Sequence, residues 1–262
     1  MPYLVGVVHL HRAARACMRR SSAAGADGTS WAQYRQGLRE RLADLAGRLR
    51  AGTWRPGPLR PVEITAYTGK VFAAVVPTVE DRIVHRAMRA ALDPVLDAYA
   101  LAEWVSGYRP GRNRITAVRQ AAAHLAAGYR WVVDVDVAGA SAGGMVKQLV
   151  DWLAAYVHDG TFLDRFRTAL TALPSPLVPG TGLWPVVFQL RLSKVDGQLD
   201  GLRVVRFADD YTVFTVGPAE ARAALGRVTA ALGTVGLAPN PVKSRIRAAG
   251  TVNPEDLYLI AG

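Results

Sequence analysis

Asp209 and Asp210 stand between two short apolar runs, Leu202–Phe207 and Tyr211–Val216. Runs of this length, joined by turn-forming residues, close as a β-hairpin. A hairpin presents its turn at one end of a sheet, so the fold must place two adjacent carboxylates there. A second apolar run, Trp131-Val132-Val133-Asp134-Val135-Asp136-Val137, carries acids at alternate positions. Side chains alternate along a strand, so Asp134 and Asp136 share one face. If the two strands are neighbours, Asp136, Asp209 and Asp210 converge on one point. Like charges a few Å apart raise one another's pKa, and divalent cations relieve that repulsion. An Asp-Asp turn alone is commonplace, because Asp suits turns. The second acid-bearing strand and the charge of the chain weigh the other way.

The remaining pattern alternates helices and hairpins. Leu38, Leu42, Leu45 and Leu49 recur at helical spacing and predict an amphipathic helix over 31–50, ended by Gly52. Residues 62–76 read as a hairpin turning near Tyr67-Thr68-Gly69-Lys70. Thr78 is placed to cap a helix through Val84, Met88 and Leu92, with a second segment starting at Asp93-Pro94. Ser106–Arg112 is a loop, and helices are expected over 115–127, 145–173, 186–195 and 219–235, with a return strand over 240–248. This order, without regular βαβ units, predicts an α+β fold: an antiparallel sheet carrying helices on one face.

The chain has 262 residues and a net charge of +11, with 32 Lys and Arg against 21 Asp and Glu. An excess of this size points to a polyanionic partner, RNA or DNA. A lone cysteine, Cys17, excludes an internal disulfide and a Cys-rich zinc site, and a reducing cytoplasm is the expected compartment. No stretch approaches the ~18 apolar residues of a membrane helix, so no membrane partner is expected. His9 and His11 are close but lack companion ligands, and read as ordinary surface or core residues. Arg109 and Arg112, in the Arg-Pro-Gly-Arg loop, are candidate contacts to a phosphate backbone.

Taken together, these segments resemble a bacterial reverse transcriptase of the group II intron and retron kind. Phe207-Ala208-Asp209-Asp210 resembles the family's Tyr/Phe-x-Asp-Asp box, and the strand ending at Asp136 resembles the one bearing its first catalytic aspartate. The blocks at Val76–Val84, Ser106–Arg112, Gly25–Gly28, Gly52–Pro56 and Leu237–Ser244 resemble further family segments in the same order. The resemblance implies the fingers and palm of a right-hand polymerase, divided as an N-terminal helical extension over 1–60, fingers and early palm over 61–130, and palm over 131–262, with no thumb. It implies Asp136, Asp209 and Asp210 as catalytic, metal-binding residues for two Mg2+ ions, with Mn2+ as an alternative. It places Lys70 and Lys243 at the triphosphate of a dNTP, and Ser141 under its sugar. A protein subunit would then supply the thumb's grip.

The departures from the family cluster around the nucleotide. The fingers hairpin reads Gly69-Lys70-Val71-Phe72, with Phe72 where an arginine is expected. Ser141 replaces an aromatic that excludes a 2′-hydroxyl. Val178-Pro179-Gly180-Thr181 replaces a Pro-Gln-Gly block, and Trp184 adds a large ring. Phe207 replaces the commoner tyrosine. The expectation is two-metal DNA synthesis with unusual nucleotide or template use, in keeping with divergent relatives that act against phage. The alternatives are a catalytically reduced nucleic-acid-binding scaffold and one subunit of a larger polymerase.

Overall fold

The computed structural model describes residues 1–20, 22–65, 69 and 71–249. In chain order the elements are α1 (Pro2–Val5), α2 (Val7–Met18), α3 (Trp31–Arg35), α4 (Leu38–Ala51), β1 (Arg60–Thr65), β2 (Val71–Val76), α5 (Val79–Tyr99) and α6 (Arg114–Ala126). They continue as β3 (Trp131–Ala138), α7 (Val146–Ala154), α8 (Gly160–Thr171), α9 (Trp184–Asp196), β4 (Arg203–Phe207), β5 (Asp210–Thr215), α10 (Pro218–Gly233), β6 (Ala238–Pro239) and β7 (Arg245–Ala248). The fold is α+β, as expected. None of the described helices is long and apolar enough to cross a membrane.

The chain divides into two compact units. One comprises Met1–Leu96 with Ser141–Phe188, and the other Asp97–Ala140 with the described residues from Gln189 onward. In the first, α1 and α2 pack on each other and on α4. Leu4, Leu10, Leu42, Leu45, Leu49 and Trp54 are fully buried there. β1 and β2 form the predicted antiparallel hairpin, Arg60 opposite Val76 and Thr65 opposite Val71; its tip, with Lys70, lies outside the described residues.

Three helices depart from the sequence pattern, each for a local reason. The helix expected over 31–50 is two, because Gly37 takes a left-handed conformation (φ 67°) between α3 and α4. The long helical region over 145–173 is also two, and Asp159 caps α8 by accepting from the Phe162 N–H at 3.0 Å. Conversely, α5 runs through Pro94 without a break. Pro94 lies on the exposed side, where water can satisfy the carbonyl that proline leaves without a donor. At the start of α5, Thr78 Oγ1 accepts from the Asp81 N–H at 3.0 Å, as predicted from its position.

The second unit is built on a five-stranded antiparallel sheet in the order β4-β5-β3-β6, with β7 also pairing β3. β3 is central: β5 lies along one edge, and β6 and β7 share the other. α6 covers Val132, Val205 and Phe214 through Ala117 and Ala121. At the free edge of β4, Val105 adds a parallel bridge to Arg206.

Candidate active site

The site follows from strand register. In the β4–β5 hairpin Phe207 pairs with Asp210, leaving Ala208 and Asp209 as the two turn residues. Two-residue hairpins favour positive φ at their first position, and Ala208 has φ 57°. Along β3, Asp136 lies directly opposite Asp210. Opposed residues in an antiparallel pair project side by side from one face, so the two carboxylates are neighbours. Asp209 adds the third from the adjoining turn.

Each flank is braced. Asp136 Oδ1 accepts from Asn240 Nδ2 at 3.0 Å, and its Oδ2 accepts from Lys243 Nζ at 3.0 Å. The Asp136 carbonyl accepts from the Asn240 N–H at 2.7 Å, fixing the 240–244 turn beside the strand. Asp134, two residues back on the same face, is buried and ion-paired to Arg247 at 2.8 Å. It braces β3 against β7, which carries Arg247.

The charges are uncompensated enough to matter. Burial, then the Asp209 and Asp136 carboxylates, push the Asp210 carboxyl up to about 8. Burial, with a further push from Asp136, raises Asp209 as well, although Lys243 and Arg206 pull against it.

Beneath the turn lies a buried network that the sequence reading missed. Arg206 is fully buried on β4 and grips Asp196 of α9 with two hydrogen bonds, Nε at 3.0 Å and Nη2 at 2.6 Å. Its Nη1 donates to the Ala208 carbonyl at 2.8 Å. The Tyr211 hydroxyl donates to the same Asp196 carboxylate at 2.9 Å. Arg206 thus ties the strained turn to a helix. The available signal was an arginine inside the apolar run Val204-Val205-Arg206-Phe207, since an arginine in a strand core needs a buried partner.

The Ser106–Arg112 loop abuts the turn. The Ser106 N–H donates to the Arg206 carbonyl at 2.9 Å, and the Arg206 N–H to the Trp104 carbonyl at 3.0 Å. Gln189 Nε2 donates to the Gly107 carbonyl. A Cβ on Gly107 would stand 2.1 Å from the Ala208 nitrogen, so backbone meets backbone there. Expected at a phosphate backbone, Arg109 is instead buried, bonded to Asp97 at 2.5 Å and to the Ala102 carbonyl at 2.7 Å. Arg112 pairs with Glu103 at 2.5 Å. Arg109 braces the loop from within and Arg112 from its surface.

The other predicted residues belong to the first unit or lie outside the described residues. Lys70 lies outside the described residues. Ser141 is exposed in the turn after β3 and belongs to the first unit, as does Phe72 on β2. In that unit the Val75 N–H donates to the Pro179 carbonyl at 3.0 Å. Trp184 stacks on Phe188 with ring centroids 5.0 Å apart, so part of its ring surface serves packing.

The family model described as "Reverse transcriptase (RNA-dependent DNA polymerase)" matches residues 68–253, a span that includes the whole carboxylate cluster. The chain belongs to the reverse transcriptase family. Among curated proteins it is similar to Protein YkfC of Escherichia coli (strain K12), 32% identical over 119 residues, covering 43% of this chain and 30% of that protein. Among solved structures it is similar to chains of a partial Cas6-RT-Cas1--Cas2 complex and of a Cas6-RT-Cas1--Cas2 complex. Each is 21% identical with a TM-score of 0.45 and covers 87% of this chain, against 40% and 25% of those chains. The chain therefore spans less than half the length of each of these relatives.

Reverse transcriptases imply divalent metal. Among the described residues no three His, Cys, Asp or Glu side chains form a ready-made cage for an ion. The chemistry of the donors nonetheless fits one. All three are carboxylates, the hard oxygen ligands that Mg2+ takes. Burial and the neighbouring carboxylates raise Asp209 and Asp210, and a bound cation would favour their ionised forms. Asp136 currently receives positive charge from Lys243.

Proposed function

We propose that this reverse transcriptase is a Mg2+-dependent nucleotidyltransferase that extends the 3′ end of a nucleic-acid strand with dNTPs on an RNA or DNA template. The observation that supports it most is the register of Asp136 opposite Asp210 with Asp209 at the adjoining turn. When bound to Asp136, Asp209 and Asp210, two Mg2+ ions, or Mn2+ in their place, supply the charge that activates a 3′-hydroxyl and steadies the leaving pyrophosphate. The protein's own part is to hold these carboxylates close, despite the burial and the mutual repulsion that raise two of them. Lys243, exposed enough to move, exchanges its pairing with Asp136 for the triphosphate, and Lys70 is assigned to the same ligand.

Phe72, Ser141 and Pro179 support an unusual choice of nucleotide or template, because groups that grip a nucleotide in the family are replaced there. A defence role against phage rests on the resemblance to divergent bacterial members. Its test is plaque counts on cells carrying wild-type or Asp209→Asn protein. A protein partner that grips the duplex is part of the proposal and is read by co-purification and size exclusion.

Asp209→Asn is expected to lower Mg2+-dependent dNTP incorporation by at least about a thousandfold, since each ~1.4 kcal/mol of lost transition-state stabilisation costs a factor of ten. Wild-type protein that incorporates nothing, whatever template, primer or partner is offered, would sink the enzyme reading. The pairing of Lys243 with Asp136 favours one competitor, a basic nucleic-acid-binding scaffold in which a lysine already compensates Asp136. That protein would bind RNA tightly, and Asp209→Asn would leave its binding unchanged.

A further inference from the structure

Asn240 stands between two prolines, Pro239 and Pro241. Each proline fixes its own φ, and Pro241 also restricts the backbone of the residue before it. Asn240 therefore enters its turn with little conformational freedom, directly after Pro239 of β6 has paired with Val137 of β3. The turn then closes on Asn240 itself. Its carbonyl accepts from the Ser244 N–H at 2.9 Å and from the Lys243 N–H at 3.3 Å.

The side chain is held just as firmly. An asparagine amide has one acceptor and two donors. Here Oδ1 accepts from the Val242 N–H, two residues on, at 3.1 Å. Nδ2 donates to Asp136 Oδ1 at 3.0 Å. A flipped amide would set donor against donor at Val242 and oxygen against oxygen at Asp136, so one orientation is imposed from both ends. The two oxygens of Asp136 are thus held unequally. Oδ1 has a neutral donor on a short side chain in a rigid turn. Oδ2 has the Lys243 ammonium at 3.0 Å, carried on a flexible four-carbon stem that is 47% exposed.

We infer that Asn240 is a positioning residue that keeps Oδ1 of Asp136 on the protein and so presents Oδ2 to a cation when Lys243 withdraws. This rests on the metal-site reading proposed above. Groups that hydrogen-bond a ligating carboxylate fix its direction, and losing one typically costs about 10–100-fold in metal affinity. A fixed direction matters more for Mg2+, which demands a near-ideal octahedron, than for Ca2+, whose coordination is flexible.

The test uses Asn240→Ser, whose hydroxyl still accepts from the Val242 N–H but is too short to reach Asp136 as well. Mn2+ binding to the metal-free protein is followed by electron paramagnetic resonance, with Mg2+ and Ca2+ as competitors. Asn240→Ser is expected to weaken Mn2+ binding and Mg2+ competition about tenfold or more, to weaken Ca2+ competition less, and to keep the metal-free melting temperature close to wild type. A second measurement needs no variant: in the wild type, the Asn240 side-chain amide hydrogens should stay slow to exchange by NMR after Mg2+ is added. Unchanged affinity in Asn240→Ser, equal loss for both competitors, or amide hydrogens that exchange faster once Mg2+ binds overturns the inference. Wild-type protein that binds no Mn2+ sinks the metal-site reading, and this inference with it. Wild type that binds Mn2+ beside an indifferent variant leaves that reading standing and removes only the role of Asn240.

Discussion

Gly107 is where single atoms decide whether the site exists. A methyl group there would lie 2.1 Å from the Ala208 nitrogen and 2.8 Å from its Cα, both backbone atoms that cannot swing aside. Gly107→Ala should therefore force the loop or the turn outward. Overpacking of this kind costs about 1–3 kcal/mol, readable as a lower denaturant midpoint, and dNTP incorporation should fall at least about tenfold. Asp210 supplies a prediction in pH. Its carboxyl is raised from the ordinary 3.8 to about 8 by burial and the neighbouring acids. The folded protein thus holds a proton that the unfolded chain has lost between those values, so metal-free stability falls as pH rises from about 4 to 8. Asp210→Asn should raise the metal-free melting temperature at pH 8 and matter little at pH 4.5. A Mg2+-dependent gain in wild-type melting temperature at pH 8, absent at pH 4.5, would agree with it. The three carboxylates were legible in the sequence because alternation and turn chemistry are local rules. Arg206 was not, because its partner Asp196 sits on a helix whose path the strand pattern does not reveal.

At the level of elements, the link between α9 and the hairpin is the Arg206–Asp196 pair, with both side chains essentially buried. Breaking one half of a buried pair typically costs about 3–5 kcal/mol, whereas replacing both by apolar groups can recover much of it. Arg206→Met and Asp196→Leu should each destabilise by roughly that amount, and the double variant should regain stability in urea titration. It should not regain nucleotide incorporation, because the Ala208 carbonyl still lacks the Arg206 donor that fixes the turn. Equal recovery of both properties would mean that the pair serves stability alone. The hairpins over 60–76 and 203–215 were readable from runs of β-favouring residues bounded by turn formers. The helix ends were less so. Gly37 in a left-handed conformation and Asp159 as a cap interrupt patterns that hydrophobic spacing carries straight through, and exposed Pro94 fails to interrupt one it should. The separate helices α1 and α2 were not read from local pattern, because the apolar start of the chain is too brief to show a period, and only the helical extension implied over 1–60 covered them.

For the whole molecule, the net charge of +11 predicts nucleic-acid affinity dominated by the phosphate backbone. Binding to single-stranded RNA should fall on the order of 10³-fold between about 50 and 200 mM salt, measured by filter binding. Affinity indifferent to salt would remove the charge excess as its source. The division into two units, each from two separate chain segments, was not legible, since nothing in local composition marks the changes near residues 96, 140 and 188. It has a consequence in time. Asp136 is held by Asn240 and Lys243, 104 and 107 residues further on. At a synthesis rate of about 5–20 residues per second, that separation is on the order of ten seconds. During this interval β3 can pair with β5 once the hairpin has emerged, yet its other edge waits for β6 and β7, and its acids wait for the lysine. A ribosome paused short of Asn240 would leave a nascent sheet with one bare edge and unneutralised acids, open to chaperones, to proteases and to its own neighbours.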